Sequence, residues 1–153
     1  MKKGFTLIEM VMVIVILGIL SSVAISKMAV TRDDAIISKG RSEVAAIRNA
    51  ISLTRNTNIL MGKGAAYPTR LDALSGTTSS DGEALFDKNA TSGDAVKLLD
   101  YPIYAKSKNG WRKVAANKYA FNATNADVNF TYDPTDGTFK CDHSIALCKN
   151  LTE

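Results

Sequence analysis

Two hydrophobic rhythms divide this 153-residue chain. From Phe5 to Ile25 apolar residues run almost without relief, and the one charged side chain among them is Glu9. As an α-helix these 21 residues rise about 32 Å at about 1.5 Å per residue, enough to cross a hydrocarbon core of about 30 Å. From Lys27 to Asn58 the pattern turns amphipathic, with Val30, Ile37, Val44, Ile47 and Ile51 recurring at spacings of three, four and seven. One helix from Phe5 to Asn58, about 80 Å long at about 1.5 Å per residue, is therefore expected. Asp33 falls close to the amphipathic stripe and Gly40 interrupts it, so the helix is expected to bend or to pack closely at Gly40. Toward the end of the chain the period shortens to two. Trp111–Ala115, Lys118–Ala123, Val128–Asp133 and Thr138–Cys141 read as short strands, and Val128, Phe130 and Tyr132 alternate with Asn129 and Thr131 to give one buried face. Asp133-Pro134-Thr135-Asp136-Gly137 is a turn sequence that makes the last two strands a hairpin. The fold class is thus α+β: a long N-terminal helix carrying a small C-terminal antiparallel sheet on its rear half.

Glu9 is the anomaly of the first segment. A carboxylate deep in hydrocarbon costs about 3 kcal/mol on insertion scales, so it either sits at the membrane boundary or is kept for a partner that neutralises it. Ser21 to Ala24 could pass for the cleavage site of a secretory signal peptide, but the amphipathic pattern continues past Ala24 with no turn residue before Gly40. Lys2 and Lys3 mark the cytoplasmic end. Alternatively, Glu9 snorkels or is protonated in an ordinary single-pass anchor. Gly18 is either a packing notch between helices or a weak point in this one.

The basic leader ending in Gly4, followed by Phe5-Thr6-Leu7-Ile8-Glu9 and the apolar run to Leu20, resembles the type IV pilin-like proteins. The resemblance implies that a prepilin peptidase cuts after Gly4 and methylates the new amine on Phe5, making residues 1–4 a removed leader. It implies residues 5–25 as a membrane and filament-core helix, 26–58 as its amphipathic continuation, and 59–153 as a globular head. The partner it implies for Glu9 is the Phe5 amine of a neighbouring subunit in a helical filament, and charges in a dry bundle repay their desolvation only when paired. Many members carry a proline shortly after the glycine; here Ser21, Ser22 and Ser26 follow and no proline precedes Pro68, so a proline-linked kink is in doubt. Cys141 and Cys148 enclose six residues in a head delivered outside the cytoplasm, and a disulfide closing that loop, common in fibre-forming members, would contribute about 2.5 kcal/mol. Zinc held by Cys141, His143 and Cys148 is the rival, though it lacks a fourth ligand nearby.

Within the head, residues 59–109 form a connecting stretch rich in Gly, Ser, Thr and Asn, residues 110–141 the sheet, and residues 141–148 the cysteine loop. Thr69 is placed to cap a short helix with Leu71 and Leu74 inward, an element similar to one in pilin-like proteins. Residues 76–93 have turn composition and read as an exposed loop. Asp127, Asp133 and Asp136 could offer oxygens to calcium, but their spacing favours turns. Arg32, Asp33, Asp34, Lys39, Arg41, Glu43 and Arg48 read as a solvated helix face, some available for ion pairs between subunits.

Charge and composition narrow the function. The net charge of +4 falls to +2 once Lys2 and Lys3 are removed, which implies no specific nucleic acid partner. One histidine and two cysteines leave little from which to build a metal centre or an acid/base apparatus, so no enzyme, cofactor or metal is expected. The resemblance implies a homo-oligomeric filament served by prepilin peptidase and a pilus assembly machinery, with the precursor held in the inner membrane, N-terminus cytoplasmic. Three functions fit: the subunit of a surface pilus for adhesion, motility or DNA uptake; a type II secretion pseudopilin; and a minor pilin with a binding head. The cysteine loop points to the pilus, since major pseudopilins usually lack it and rely on a calcium loop with no counterpart here.

Overall fold

Helix α1 runs unbroken from Leu7 to Leu60, 54 residues, with no proline to remove a donor or clash with the preceding turn. The computed structural model describes residues 4–64, 66–87 and 98–153, with residues 25–30 described by backbone alone. Lys2 and Lys3, the Val30 side chain and residues 88–93 of the expected exposed loop therefore lie outside the described residues. Contacts divide the chain into two units, Met1–Ala35 and Ile36–Glu153, and α1 contributes to both.

In the first unit α1 starts at Leu7 rather than Phe5, because Thr6 is taken up in capping. Leu7–Ala24 has a mean hydropathy of 2.6 and none of it is buried within the chain. Its hydroxyls are satisfied locally: Ser21 Oγ donates to the Leu17 carbonyl at 2.7 Å and Ser22 Oγ to that of Ile19 at 2.8 Å. That is how polar side chains enter an apolar helix without leaving a hydrogen bond unmade.

In the second unit α1 ends two residues beyond the expected Asn58. Gly62, at φ 70°, allows the Lys63 N–H to reach the Asn58 carbonyl at 2.9 Å and the Gly62 N–H that of Ile59 at 3.0 Å, a Schellman closure. Four strands, β1 (Ala84–Leu85) and β2 (Ile103–Tyr104) as one pair and β3 (Gly110–Ala115) and β4 (Lys118–Ala123) in a larger sheet, precede β5 (Ala126–Asp133), β6 (Thr138–Cys141) and helix α2 (Ala146–Thr152). The larger sheet is an antiparallel meander in the order β3-β4-β5-β6. Its strands sit where the periodicity places them, β3 and β5 starting one and two residues earlier. Val128, Phe130 and Tyr132 are buried and Asn129 and Thr131 exposed, and the registers Phe121↔Val128 and Tyr132↔Phe139 bring the apolar face together. The β5–β6 turn closes with the Gly137 N–H on the Asp133 carbonyl at 2.9 Å, Gly137 taking a φ of 72°.

The core lies between this sheet and the rear of α1. Val44, Ile47, Ala50 and Ile51 pack with Trp111, Phe121, Phe130 and Phe139. At Gly40 close packing, not a bend, is the reason for glycine: a Cβ there would fall 2.5 Å from the Phe121 ring and 2.7 Å from Leu151. Three charges expected on a solvated face are instead spent inside the chain. Arg48 Nε donates to the Phe139 carbonyl at 3.1 Å, Arg41 to that of Asn150 at 2.7 Å, and Glu43 accepts from Trp111 Nε1 at 3.1 Å.

The connecting stretch departs most from expectation. No helix follows Thr69; the Asp72 carboxylate accepts from the Leu74 N–H at 2.9 Å, a local bond that holds a turn and competes with a helical one. Leu71 is buried as expected, while Leu74 is half-buried. Residues 76–87 are not simply an exposed loop, since β1 lies within them and Leu85 and Phe86 are wholly buried. Phe86 takes a φ of 57°, strained for an aromatic residue, and its ring meets Trp111 edge-on at 5.5 Å and Tyr119 at 4.6 Å. Helix α2, unforeseen, starts inside the cysteine loop and buries Leu147, Cys148 and Leu151. Cys141 and Cys148 are joined in a disulfide with Cα atoms 5.9 Å apart.

Candidate functional site

The residues singled out in the sequence fall in two places. Gly4, Phe5 and Glu9 gather at the start of α1, Gly18 lies within its first half, and Cys141 and Cys148 close the C-terminal loop. Gly4 and Phe5 precede the helix, Phe5 is 80% exposed, and a Cβ on Gly4 would meet nothing within 4 Å among the described residues. Gly18 likewise has nothing within 4 Å of where a Cβ would stand, so within one chain it leaves a smooth notch on the helix surface.

Glu9 is not left alone in the single chain. Its Oε2 accepts from both the Thr6 backbone N–H and the Thr6 hydroxyl at 2.8 Å, while the Glu9 N–H donates to Thr6 Oγ1 at 3.3 Å. This reciprocal arrangement is a capping box: Thr6 and Glu9, three apart, satisfy donors that the first helical turn would otherwise leave open. The carboxylate also stands at the positive end of the helix dipole. The signal for this was in the sequence, in the Thr-x-x-Glu spacing directly ahead of an apolar run. Both bonds fall on Oε2, and among the described residues none falls on Oε1. The geometry thus holds the side chain in one orientation through Oε2.

The three acids considered for calcium, and both thiols, are committed to other partners. Asp127 is bridged by Arg112, with contacts of 2.6 and 3.1 Å, and its carboxyl is held below the usual range by that hydrogen bond first and by Asn122 second. Asp133 and Asp136 are depressed by the Thr135 and Thr138 donors of their own turn. His143 is exposed beside Glu153 at 3.9 Å, away from any role as a zinc ligand once Cys141 and Cys148 are bonded to each other.

The sequence did not disclose the buried trio of the head. Lys113 Nζ lies 2.9 Å from Asp72 Oδ1, the Tyr119 hydroxyl donates to Asp72 Oδ2 at 2.5 Å, and the side chains of Lys113 and Asp72 are only 4% and 1% exposed. Burial first, and the Asp72 charge second, push the Tyr119 phenol far above its ordinary range, so it remains a donor. Lys113 also reaches the Leu74 carbonyl at 3.4 Å, and the network thereby fastens the turn after Pro68 to strands β3 and β4. The set is complete within itself and reads as a structural clamp.

A capped, uncovered apolar helix and an α+β head are the features of the type IV pilin-like class, and the comparisons support that class for this chain. Residues 1–25 match the family described as the prokaryotic N-terminal methylation motif. Over nearly its whole length the chain is similar to the type IV major fimbrial protein FimA of Dichelobacter nodosus, 28% identical over 153 residues that cover 96% of this chain and 91% of that one. It is also similar to the type II secretion system core protein G of Klebsiella pneumoniae, 26% identical over 71% of this chain and 79% of the relative. The same protein of Aeromonas hydrophila is 30% identical over 64% of each chain. No match to a solved structure reaches significance. Together, the motif and an apolar helix long enough to span a bilayer point to membrane anchoring before assembly.

Proposed function

We propose that this chain is the structural subunit of a type IV pilus, made as a precursor, cut after Gly4, methylated on Phe5 and polymerised through α1. The observation that carries the reading is the pairing of the methylation motif with a likeness to a major fimbrial subunit that extends through the head. Removal of residues 1–4 would create an amine on Phe5, four residues ahead of Glu9. In a bundle of parallel helices Oε1 of Glu9 receives the Phe5 amine of a neighbouring copy, and two charges that would each be costly alone in a dry bundle are answered together. The contact selects one axial offset among the many that greasy helices would tolerate. Orientation follows the basic leader, with Lys2 and Lys3 on the cytoplasmic side and the head delivered outside. The partners are further copies, the peptidase that cuts and methylates, and the machinery that draws subunits from the membrane.

The test is intact mass and N-terminal sequencing of material sheared from cells. A chain that begins at methylated Phe5, with both cysteines oxidised, and that dominates surface fibres is the expected result; fibres built of the uncut precursor refute the reading. The two secretion-system relatives support a second reading, a periplasmic pseudopilus. Confinement to the periplasm, with protein export lost when the chain is deleted, would select it.

A further inference from the structure

A lysine on the inward face of a sheet needs a reason to be there. Lys113 of β3 stands opposite Tyr119 of β4 in the register, and both side chains turn into the head, where both residues are buried. The Asp72 carboxylate lies between them, Oδ1 2.9 Å from Lys113 Nζ and Oδ2 2.5 Å from the Tyr119 hydroxyl, and Asp72 is itself buried. Two charges this far from water meet a desolvation cost that their mutual attraction often only balances, and apolar side chains of similar volume could fill the same space without it. An amine held against a carboxyl group in a dry site is also the pair from which an amide can form.

The surroundings favour that condensation. Nζ already touches the carboxyl group whose Cγ it would attack, and well-oriented partners within one molecule react as if at about 10⁵ M or more. The Tyr119 hydroxyl donates to Oδ2, the oxygen on which negative charge grows as Cγ becomes tetrahedral, and burial keeps that phenol protonated. Bulk water, which would hydrolyse the product, is shut out. The amide is also met where it forms: its carbonyl oxygen, Oδ2, keeps the Tyr119 donor, and its N–H faces the Leu74 carbonyl, which Nζ reaches at 3.4 Å. The Leu74 N–H gives up Oδ1 as its acceptor, and Leu74 is half-buried, within reach of solvent.

We propose that Lys113 and Asp72 condense, without the help of another protein, into an isopeptide bond that ties the turn after Pro68 to strand β3. The ammonium passes a proton to the carboxylate, the freed lone pair of Nζ attacks Cγ, the Nζ–Cγ bond forms and the Cγ–Oδ1 bond breaks. Oδ1 leaves as water with two of the three ammonium protons, and the third stays as the amide N–H, so no oxidant, reductant or cofactor enters. Tyr119 is the donor to the developing oxyanion. The bond closes a loop between positions 41 apart that contains β1 and β2, and this stretch then cannot be drawn away from the sheet without breaking a covalent link. The inference concerns the head alone and does not rest on the pilus-subunit reading.

The experiment is a peptide map of the whole chain, purified from membranes in detergent, reduced, alkylated and digested with trypsin. Amidated Lys113 resists cleavage, so the expected product is peptide 71–88 joined to peptide 113–118, at the sum of their masses less one water. Peptide 71–88 recovered wholly unjoined overturns the proposal and leaves an ion pair. So does a water lost within 71–88 alone, the mark of Asp72 cyclised on its own backbone. Lys113→Met should abolish the joined species, and its persistence overturns the assignment to Lys113. Tyr119→Phe, which keeps the ring, should lower the joined fraction by about tenfold or more, and an unchanged fraction overturns the part given to Tyr119. The map of the unsubstituted chain decides the bond without any variant. Peptide 5–27 of the same digest reports leader removal and methylation separately, so failure here and failure of the pilus reading are told apart.

Discussion

The first half of α1 and the head use apolar residues to opposite ends. In the head, the rear of α1 and the sheet bury each other, and nearly every charge that enters that region is met by a group of the same chain: Asp72 by Lys113 and Tyr119, Glu43 by Trp111, Arg48 by a β6 carbonyl. Between Leu7 and Ala24 nothing is buried, and the chain answers only the needs of its own backbone, through the Thr6–Glu9 box and two serine hydroxyls. The head is a finished structure. The front helix is an unfinished one, stable in lipid or among copies and in no other surroundings. Under the proposed function, polymerisation would follow from leaving the front of α1 without a core of its own.

The sharpest way to break this comparison is at Glu9. Glu9→Ala removes a capping acceptor and the second oxygen together, but touches nothing in the head. Leader removal should proceed as before, and the unfolding free energy of the head should stay within about 0.5 kcal/mol of the parent, the usual effect of a change remote from the core. Fibre yield should drop more than tenfold. Shearing, blotting and a denaturant melt of the same preparation measure all three, and normal fibres from this variant would refute the proposed pairing.

The head should respond in the reverse sense to loss of its own acid. Asp72→Ala leaves the Lys113 ammonium and the Tyr119 hydroxyl buried without their acceptor, and removing one member of a buried pair costs about 3–5 kcal/mol. Because that is a large share of the stability of a domain of this size, the head should melt far earlier while the leader is still cut. Adding Lys113→Met should restore part of the loss, because it removes the stranded buried charge, while the Tyr119 hydroxyl and the Leu74 N–H stay without their acceptor. If Asp72→Ala melts with the parent, the clamp is not structural.

Which parts of this were legible in the sequence follows from how each element buries itself. Strand β5 was readable because a sheet with one covered face alternates residue by residue from Val128 to Tyr132, and β3, β4 and β6 from β-prone residues bounded by turn residues. The second half of α1 was readable from its stripe, and the interruption at Gly40 marked a bend or a close contact without saying which, or that Phe121 and Leu151 would fill it. Phe86 was not: a two-residue strand has no period, and a positive φ that turns a loop residue into the centre of the core leaves no local trace. The helix expected after Thr69 failed because Asp72 bonds locally to Leu74 and inward to Lys113, and nothing in the sequence links positions 72 and 113. Helix α2, with seven residues and no side-chain cap, is held by burial of Leu147 and Leu151 and by the disulfide rather than by propensity. At the N-terminus the leader, Phe5 and Glu9 were plain, yet the internal partner of Glu9 went unseen although Thr6 stood at capping-box spacing.

Acid should separate the two regions most gently. Asp127, Asp133, Asp136 and Asp142 all lie in the head, and hydrogen bonds from Arg112, Thr135, Thr138 and Ser144 hold each carboxyl below its ordinary value. A carboxylate whose folded pKa is depressed contributes stability above its unfolded pKa of about 3.9, and that contribution is lost as pH falls through the unfolded and then the folded value. The head should therefore hold its stability from neutral pH to about 5 and lose it progressively below about 4. Asp127 makes the one bidentate pair of the four, but its side chain is 44% exposed, so screening limits the pair to at most about 1 kcal/mol. Asp127→Asn should lower the melting free energy by no more than that at pH 6, and the gap to the parent should close near pH 3. One molar salt should narrow the same gap, the Debye length falling to about 3 Å, while the Asp72–Lys113 pair, shielded from solvent, should keep its effect. A gap that does not narrow at all as pH falls below about 4 would mean that Asp127 acts through packing or neutral hydrogen bonds, because the contribution of a charge pair shrinks once its acid begins to protonate in the unfolded chain.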